Sequence, residues 1–260
     1  MIIPFYKYQG TGNDFVLIDN RELIFPKDHH HLIEKMCSRK FGIGADGLIL
    51  LENSNTEDFK MVYFNADGNE GSMCGNGGRC IVAFAKQLGI IKNETTFNAV
   101  DGLHYATIEN EIVSLKMIDV NEIKVSESHA FLDTGSPHHI SFYNSVTAIN
   151  VKEIGAKIRY GAPYFEKGTN VNFAEKIDSN SFKIRTYERG VEDETLSCGT
   201  GVTAAALIYG HLNPEKNNID IQTKGGQLKI KFKNQKNGSF NNIWLCGPTE
   251  LVFSGKSGPV

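Results

Sequence analysis

Two stretches of this chain repeat one another, and the repetition limits the folds open to it. Cys74-Gly-Asn-Gly-Gly-Arg-Cys-Ile-Val-Ala-Phe-Ala85 and Cys198-Gly-Thr-Gly-Val-Thr-Ala-Ala-Ala-Leu-Ile-Tyr209 both read Cys-Gly-x-Gly followed by an apolar, small-residue run with helical spacing. The cysteines are 124 residues apart, close to half of the 260-residue chain. Each motif follows an apolar strand and an acidic loop, Asn65-Ala-Asp-Gly-Asn-Glu70 in one case and Glu188-Arg-Gly-Val-Glu-Asp-Glu194 in the other. The pattern implies an internal duplication, with two similar α/β halves facing each other. Both helices are poor in charge, which suits helices enclosed by protein rather than lying on a surface.

The rest of the pattern predicts a mixed α/β (α+β) fold. Alternating or continuous apolar segments at 15–18, 47–51, 59–64, 112–118, 182–187 and 228–232 predict strands. Turn signals at Asp101-Gly102 and Gly225-Gly226 predict antiparallel hairpins with 104–108 and 219–222. Helices are expected at 30–39, 75–88, 151–158 and 199–211. The expected halves are 1–117, joined by a returning strand within 249–260, and 118–248.

Composition narrows the function. Lys plus Arg number 27 and Asp plus Glu 30, a net charge of −3 with no extended basic run, which disfavours nucleic acid. No window approaches the ~18 apolar residues of a membrane helix, and the start lacks the form of a secretion signal, so a cytoplasmic protein is expected. Five cysteines spread over the chain predict free thiols rather than a disulfide framework.

A cysteine directly before Gly-x-Gly at a helix start lies among unpaired backbone N–H groups and the positive end of the helix dipole, so its thiol should ionise more readily. The glycines let a carboxylate approach those N–H groups. Two such sites would present two thiols to one carboxylate-bearing molecule. One thiolate would remove an α-hydrogen and the other thiol would return a proton to the opposite face, inverting the stereocentre without redox change. A free cysteine at a helix start is often only a small buried hydrophobe. The duplication kept the thiol as well as the glycines while most other positions drifted, which favours chemistry.

Thr11-Gly-Asn-Asp-Phe15, Gly42-Ile-Gly-Ala-Asp-Gly47, Phe64-Asn-Ala-Asp-Gly68, Met73-Cys-Gly-Asn-Gly-Gly-Arg-Cys80, Gly135-Ser-Pro-His138, Thr169-Asn170, Tyr187-Glu-Arg-Gly190 and Ser197-Cys-Gly-Thr-Gly201, in this order, resemble the diaminopimelate epimerase family. The likeness runs from about residue 5 to Gly247-Pro248. It implies two pseudo-symmetric domains, each a curled, mainly antiparallel sheet around a central helix. It also implies an enzyme that interconverts LL- and meso-2,6-diaminopimelate, in lysine and peptidoglycan precursor synthesis, without pyridoxal phosphate or metal, and commonly as a homodimer. Position by position, Cys74 resembles the proton acceptor and Cys198 the donor. Gly75, Asn76, Gly199 and Thr200 match positions whose N–H groups hold the reacting carboxylate. Asn13, Asn65, Asn170, Glu188 and Arg189 match those that bind the distal amino-acid end, and His138 and Glu188 those that tune the thiols. Gly47 and Ser136 replace the Gln and Asn common in the family, both able to contact substrate.

Other signals are weaker. Gly199-x-Gly201-x-x-Ala204 fits a dinucleotide fingerprint, but a long acidic loop precedes it instead of a tight strand-to-helix turn. His29-His30-His31 diverge around a helix start and make no metal cage. Competing readings are a racemase or epimerase of proline or hydroxyproline, which has no distal zwitterion needing Asn13, Asn65 and Arg189, and a thiol redox or binding protein using the pair as a reversible disulfide.

Overall fold

Apolar runs with no polar interruption become strands covered on both faces. The computed structural model describes residues 2–235 and 237–258, and its chain divides into two units, Met1–Leu115 with Gly247–Val260, and Lys116–Cys246. In the first, β1 (Pro4–Gly10) pairs antiparallel with β2 (Asn13–Asp19), and the chain crosses through α1 (His30–Cys37) to β3 (Gly47–Glu52), parallel to β2. β4 (Phe59–Asn65) runs antiparallel to β3. A second crossover through α2 (Gly75–Gln87) leads to β5 (Glu94–Ala99), parallel to β4, and then to β6 (Gly102–Glu109) and β7 (Ile112–Lys116) in an antiparallel meander.

The second unit repeats this order. After a short β8 (Lys124–Val125), β9 (Ala130–Asp133) pairs antiparallel with β10 (Pro137–Tyr143), and α3 (Val151–Tyr160) crosses to the parallel β11 (Asn170–Lys176). β12 (Ser181–Glu188) is antiparallel to β11 and carries the short partner β13 (Asp193–Thr195). α4 (Gly199–Leu212) then crosses to β14 (Asn218–Thr223), parallel to β12, followed by the antiparallel β15 (Gly226–Asn234) and β16 (Phe240–Pro248). β17 (Glu250–Lys256) returns to pair antiparallel with β1. Four helices and seventeen strands among the described residues make this a mixed α/β fold, mostly sheet, with one connection pattern used twice.

Period-2 alternation explains the layers. Val16, Ile18, Leu48, Leu50, Val62 and Phe64 join Leu32, Ile33 and Met36 of α1 in one core. The intervening residues face the other way, where α2 packs on β1, β2, β3 and β6. Gly77 of α2 lies so close to Ile49, Met61 and Phe15 that a Cβ there would come within 3.1–3.5 Å of all three. In the second unit α4 is buried along nearly its whole length by strands β9, β10, β11, β14 and β15. Ala204, Ala205 and Ala206 let the sheet close around it. A helix wrapped this way buries every face, which is why its sequence has almost no polar stripe.

Two local expectations shift by one residue. The hairpin turns are Val100-Asp101 and Lys224-Gly225, because Ala99 pairs with Gly102 and Thr223 with Gly226. Gly102 and Gly226 open the following strands at φ values of 121° and 139°, a backbone region that side-chain-bearing residues rarely enter. The acidic stretch 192–194, read as loop, contributes the short strand β13.

Candidate active site

Each unit places its cysteine as the N-cap of the enclosed helix. Cys74 opens α2 with φ −100° and ψ 128°, and Cys198 opens α4 with φ −117° and ψ 110°. Neither helix start has a side-chain cap, and the first backbone helical bonds run from Gly78 N to Cys74 O (2.7 Å) and from Val202 N to Cys198 O (3.0 Å). The N–H groups of 75–77 and 199–201 therefore point out of the helix ends, where an anion binds well. Cys198 is buried and Cys74 half-buried.

In the first unit, Asn13 at the start of β2 lies against this helix end. Its Nδ2 donates to Asp46 Oδ2 (2.6 Å), which turns its Oδ1 toward Cys74 Sγ (3.4 Å) and Asn76 Nδ2 (3.3 Å). Asn76 is held in turn by Arg79, whose Nη2 donates to Asn76 Oδ1 (2.7 Å) and to Thr11 Oγ1 (3.0 Å), and whose Nη1 donates to Pro248 O (2.7 Å). Asp46 is itself clamped by Arg39, which also binds Asp14. Burial alone would raise the Asp14 carboxyl, but the hydrogen bonds of Arg39 and Lys7 hold it well below the usual carboxylate range.

Asn65 ends β4 opposite Gly47 of β3. A Cβ on Gly47 would meet Tyr63 Cε2 at 2.5 Å, the Phe64 carbonyl oxygen at 2.6 Å and the Tyr63 hydroxyl at 3.0 Å. A Cβ on Gly71 would meet the other edge of the same ring at 2.7 Å. The Tyr63 ring thus fills the space a side chain at 47 would need.

In the second unit the site is a hydrogen-bonded chain. His138 is fully buried on β10. Burial, with the nearby Arg189 charge second, pushes its pKa down to about 3, so it is neutral near pH 7. Its Nδ1 meets Asn172 Nδ2 (3.1 Å) and its Nε2 meets Ser136 Oγ (3.0 Å). Ser136 Oγ also meets Asn170 Nδ2 (3.3 Å) and Thr200 Oγ1 (3.2 Å), and Thr200 Oγ1 lies 3.5 Å from Cys198 Sγ. Thr134 Oγ1 donates to Thr200 O (3.0 Å) and fixes the helix start from beneath. Asn170 Oδ1 accepts from Arg189 N (2.9 Å), and the Arg189 guanidinium donates to Lys167 O (3.0 Å). Glu188 ends β12 beside this group. Gly199 and Gly201 complete the helix start; Gly201 has no Cβ because Asn172 Oδ1 occupies that space.

The structure brings Asn13, Cys74, Gly75 and Asn76 together in one unit, with Gly47 and Asn65 as neighbours on adjacent strands. It brings Ser136, His138, Asn170, Arg189, Cys198, Gly199 and Thr200 together in the other. Sequence reasoning gave no role to Asp46, Arg79, Asn172 or Tyr63. Asp46 and Arg79 lie inside the quoted motifs, and Asn172 lies two residues beyond Asn170 on the same strand face, so a period-2 reading could have found it. Among the described residues, no group of three or more His, Cys, Asp or Glu is arranged to hold a metal ion. No helix among them is long and apolar enough to cross a membrane. Cys37 and Cys80 are pushed up to about 12 by burial and are packed thiols.

The family model described as diaminopimelate epimerase matches residues 5–120 and 130–250. A diaminopimelate epimerase of Flavobacterium psychrophilum is 59% identical over 252 residues, covering 95% of this chain and 97% of that relative. One from Chlorobaculum tepidum is 43% identical over 264 residues, covering 95% and 98%. Among solved structures, a Bacillus anthracis phenazine biosynthesis protein of the PhzF family superposes with TM-score 0.79 at 13% identity, over 100% of both chains. A probable proline racemase from Agrobacterium radiobacter gives 0.69 at 14%, over 99% and 93%. At such identities these two establish the shared fold alone.

Proposed function

Because the chain belongs to the diaminopimelate epimerase family, we propose that it interconverts LL- and meso-2,6-diaminopimelate by passing the α-proton between Cys74 and Cys198. The observation that carries this reading is the occurrence, once in each unit, of a cysteine opening an enclosed helix that has no side-chain cap.

The chemistry follows from those positions. A thiolate takes the α-hydrogen as the C–H bond breaks, and the electron pair spreads into the substrate carboxylate. The N–H groups of Gly75 and Asn76 and of Gly199 and Thr200 bind that carboxylate as its charge grows. The second thiol delivers its proton to the opposite face, so the enzyme ends with thiol and thiolate exchanged and the stereocentre inverted. Cys74 accepts in one direction and Cys198 in the other. Asn13, Asn65, Asn170, Glu188 and Arg189 bind the distal ammonium and carboxylate, residue types suited to a zwitterion. His138 and Glu188 tune the thiols, and Ser136 supplies a shorter polar contact where the family commonly has Asn. No pyridoxal phosphate or metal enters these steps. The reading places the protein in lysine and peptidoglycan precursor synthesis, in the cytoplasm and as a homodimer, the last checked by light scattering on the eluting protein.

Incubation of the reduced protein with LL-diaminopimelate in deuterated water, followed by NMR, tests the reaction. The expected result is α-deuterium incorporation with formation of the meso isomer. Exchange on proline with none on diaminopimelate would overturn the assignment.

A further inference from the structure

Two cysteines acting as acid and base share one proton, and the hydrogen bonds around each sulfur differ in a way that assigns it. We propose that in the substrate-free protein Cys74 holds the proton and Cys198 carries the negative charge, with Asn13 as the positioning residue for the thiol and with Ser136 and Thr200 as those for the thiolate. This rests on the two-thiol reading above.

Around Cys198 the donors can be counted from fixed backbone groups outward. Asn172 Nδ2 donates to the carbonyl of His139 (3.1 Å), and Asn172 Oδ1 accepts from Thr186 Oγ1 (2.9 Å), so its amide orientation is set. Its second N–H therefore points at His138 Nδ1, which must be an acceptor. His138 is neutral, so its single proton is on Nε2 and is donated to Ser136 Oγ. Asn170 is fixed in the same manner, with Nδ2 donating to Pro137 O (3.1 Å) and Oδ1 accepting from Arg189 N; it too donates to Ser136 Oγ. Both lone pairs of that hydroxyl are then filled, and its own proton goes to Thr200 Oγ1. The Thr200 proton is left to point at Cys198 Sγ.

Every link in this chain donates toward the sulfur, and charge-assisted donors favour the ionised form. Burial of Cys198 opposes an anion; the relay and the helix start offset that cost.

Around Cys74 the polarity is reversed. Asp46 accepts from Asn13 Nδ2, so the atom Asn13 presents to Cys74 Sγ is a carbonyl oxygen, which only accepts. A thiol at 74 donates to it, whereas a thiolate at 74 would face a second partial negative charge. Asn76 cannot relieve this by turning over, because Arg79 holds its Oδ1.

The test is thiolate ultraviolet absorbance of the reduced, full-length protein at neutral pH without substrate, compared across Cys74→Ala, Cys198→Ala, Thr200→Val and Thr200→Ser, with circular dichroism to confirm folding. The expected result is a thiolate band kept in Cys74→Ala and lost in Cys198→Ala. In the Cys74→Ala background the band should weaken on Thr200→Val, with the ionisation equilibrium moving about tenfold or more, and be retained on Thr200→Ser. Should Thr200→Val fail to fold, Ser136→Ala makes the same test one link earlier. A band that survives Cys198→Ala and vanishes in Cys74→Ala, or one indifferent to loss of the Thr200 hydroxyl, overturns the proposal. Epimerisation by the unaltered protein is measured separately. A Cys198 thiolate without epimerisation sinks the functional reading alone, and epimerisation with the band on Cys74 sinks this inference alone.

Discussion

Acidification should weaken the fold steeply over a window where most carboxylates are silent. His138 is held neutral in the folded protein, its pKa pushed down to about 3 by burial and then by Arg189, and His139 is pushed down to about 4 by burial and then by His129, against a free-histidine value of 6.5. Between these values and 6.5 the unfolded chain binds more protons than the folded one, so stability is present in full above pH 6.5 and is lost as pH falls below it. Each histidine contributes a slope of about 1.4 kcal/mol per pH unit, so lowering the pH from 7.5 to 5 removes about 2 kcal/mol per histidine and about 4 kcal/mol together. Carboxylates held low by the fold, such as Asp14, are still ionised in both states over this range and add little. A loss of that size is a large share of the ~5–15 kcal/mol of a typical domain. Urea unfolding at pH 7.5, 6 and 5, with a constant dependence on denaturant, measures it, and His138→Gln should remove about half of the slope whatever it does to stability at pH 7.5. Stability that is flat or rising on acidification, or a slope unchanged by His138→Gln, would show that His138 is not held as a neutral donor.

Three further outcomes follow from the geometry. Cys74→Ala and Cys198→Ala should each lower epimerisation by at least ~1000-fold while leaving the circular dichroism spectrum unchanged, and substantial turnover by either variant in the NMR assay would refute the paired mechanism. Gly47→Ala should destabilise the protein by about 1–3 kcal/mol, because its Cβ would come 2.5 Å from the Tyr63 ring and 2.6 Å from the Phe64 carbonyl oxygen; a smaller side chain at 63 removes the first contact and not the second, so it should restore only part of the thermal stability. Asp46→Ala frees the Asn13 amide to turn over, so it should raise KM for diaminopimelate about tenfold with a smaller effect on overall stability, read from steady-state kinetics beside a melting curve.

Much of the architecture was legible because the relevant signals are local. A strand buried on both faces, such as Gly47–Glu52, announces itself as an unbroken apolar run, and α4 by its lack of a polar face. Short strands were illegible for the converse reason: Lys124–Val125 and Asp193–Thr195 have no apolar period of their own and exist only because a neighbour offers them a ladder. The helix-start cysteines could be read because their neighbours in sequence are also their neighbours in space. The partners of Asp46 and Asn172 could not be read, because each acts on a residue distant in sequence, Asp46 on Asn13 and Asn172 on His138, 34 positions back, even though the strand period marks Asn172 as facing the same way as Asn170. Tyr63 is the hardest case, since its effect is to fill the volume beside a glycine, and a missing side chain does not say what replaces it.

The duplicated topology explains why the two cysteines can differ. The strand register makes Gly47 and Asn170 equivalent, since Phe15 pairs with Gly47 and His138 with Asn170 across the parallel crossovers. By the same register Asn65, opposite Gly47, corresponds to Glu188, one residue past the Val171–Tyr187 pair. Two identical halves would give two identical thiols, and a shared proton would then divide evenly between them. On the assignment proposed above, divergence at equivalent positions breaks that balance. The first half has a glycine at 47, with the Tyr63 ring beside it, while the second has an asparagine whose amide feeds the hydroxyl chain toward Cys198. Identical halves would still offer one base and one acid at any instant, because a single proton occupies one sulfur at a time, and both arrangements are needed for a reaction that runs in both directions. What unequal surroundings add, on that assignment, is a preference for which sulfur holds the proton before substrate arrives.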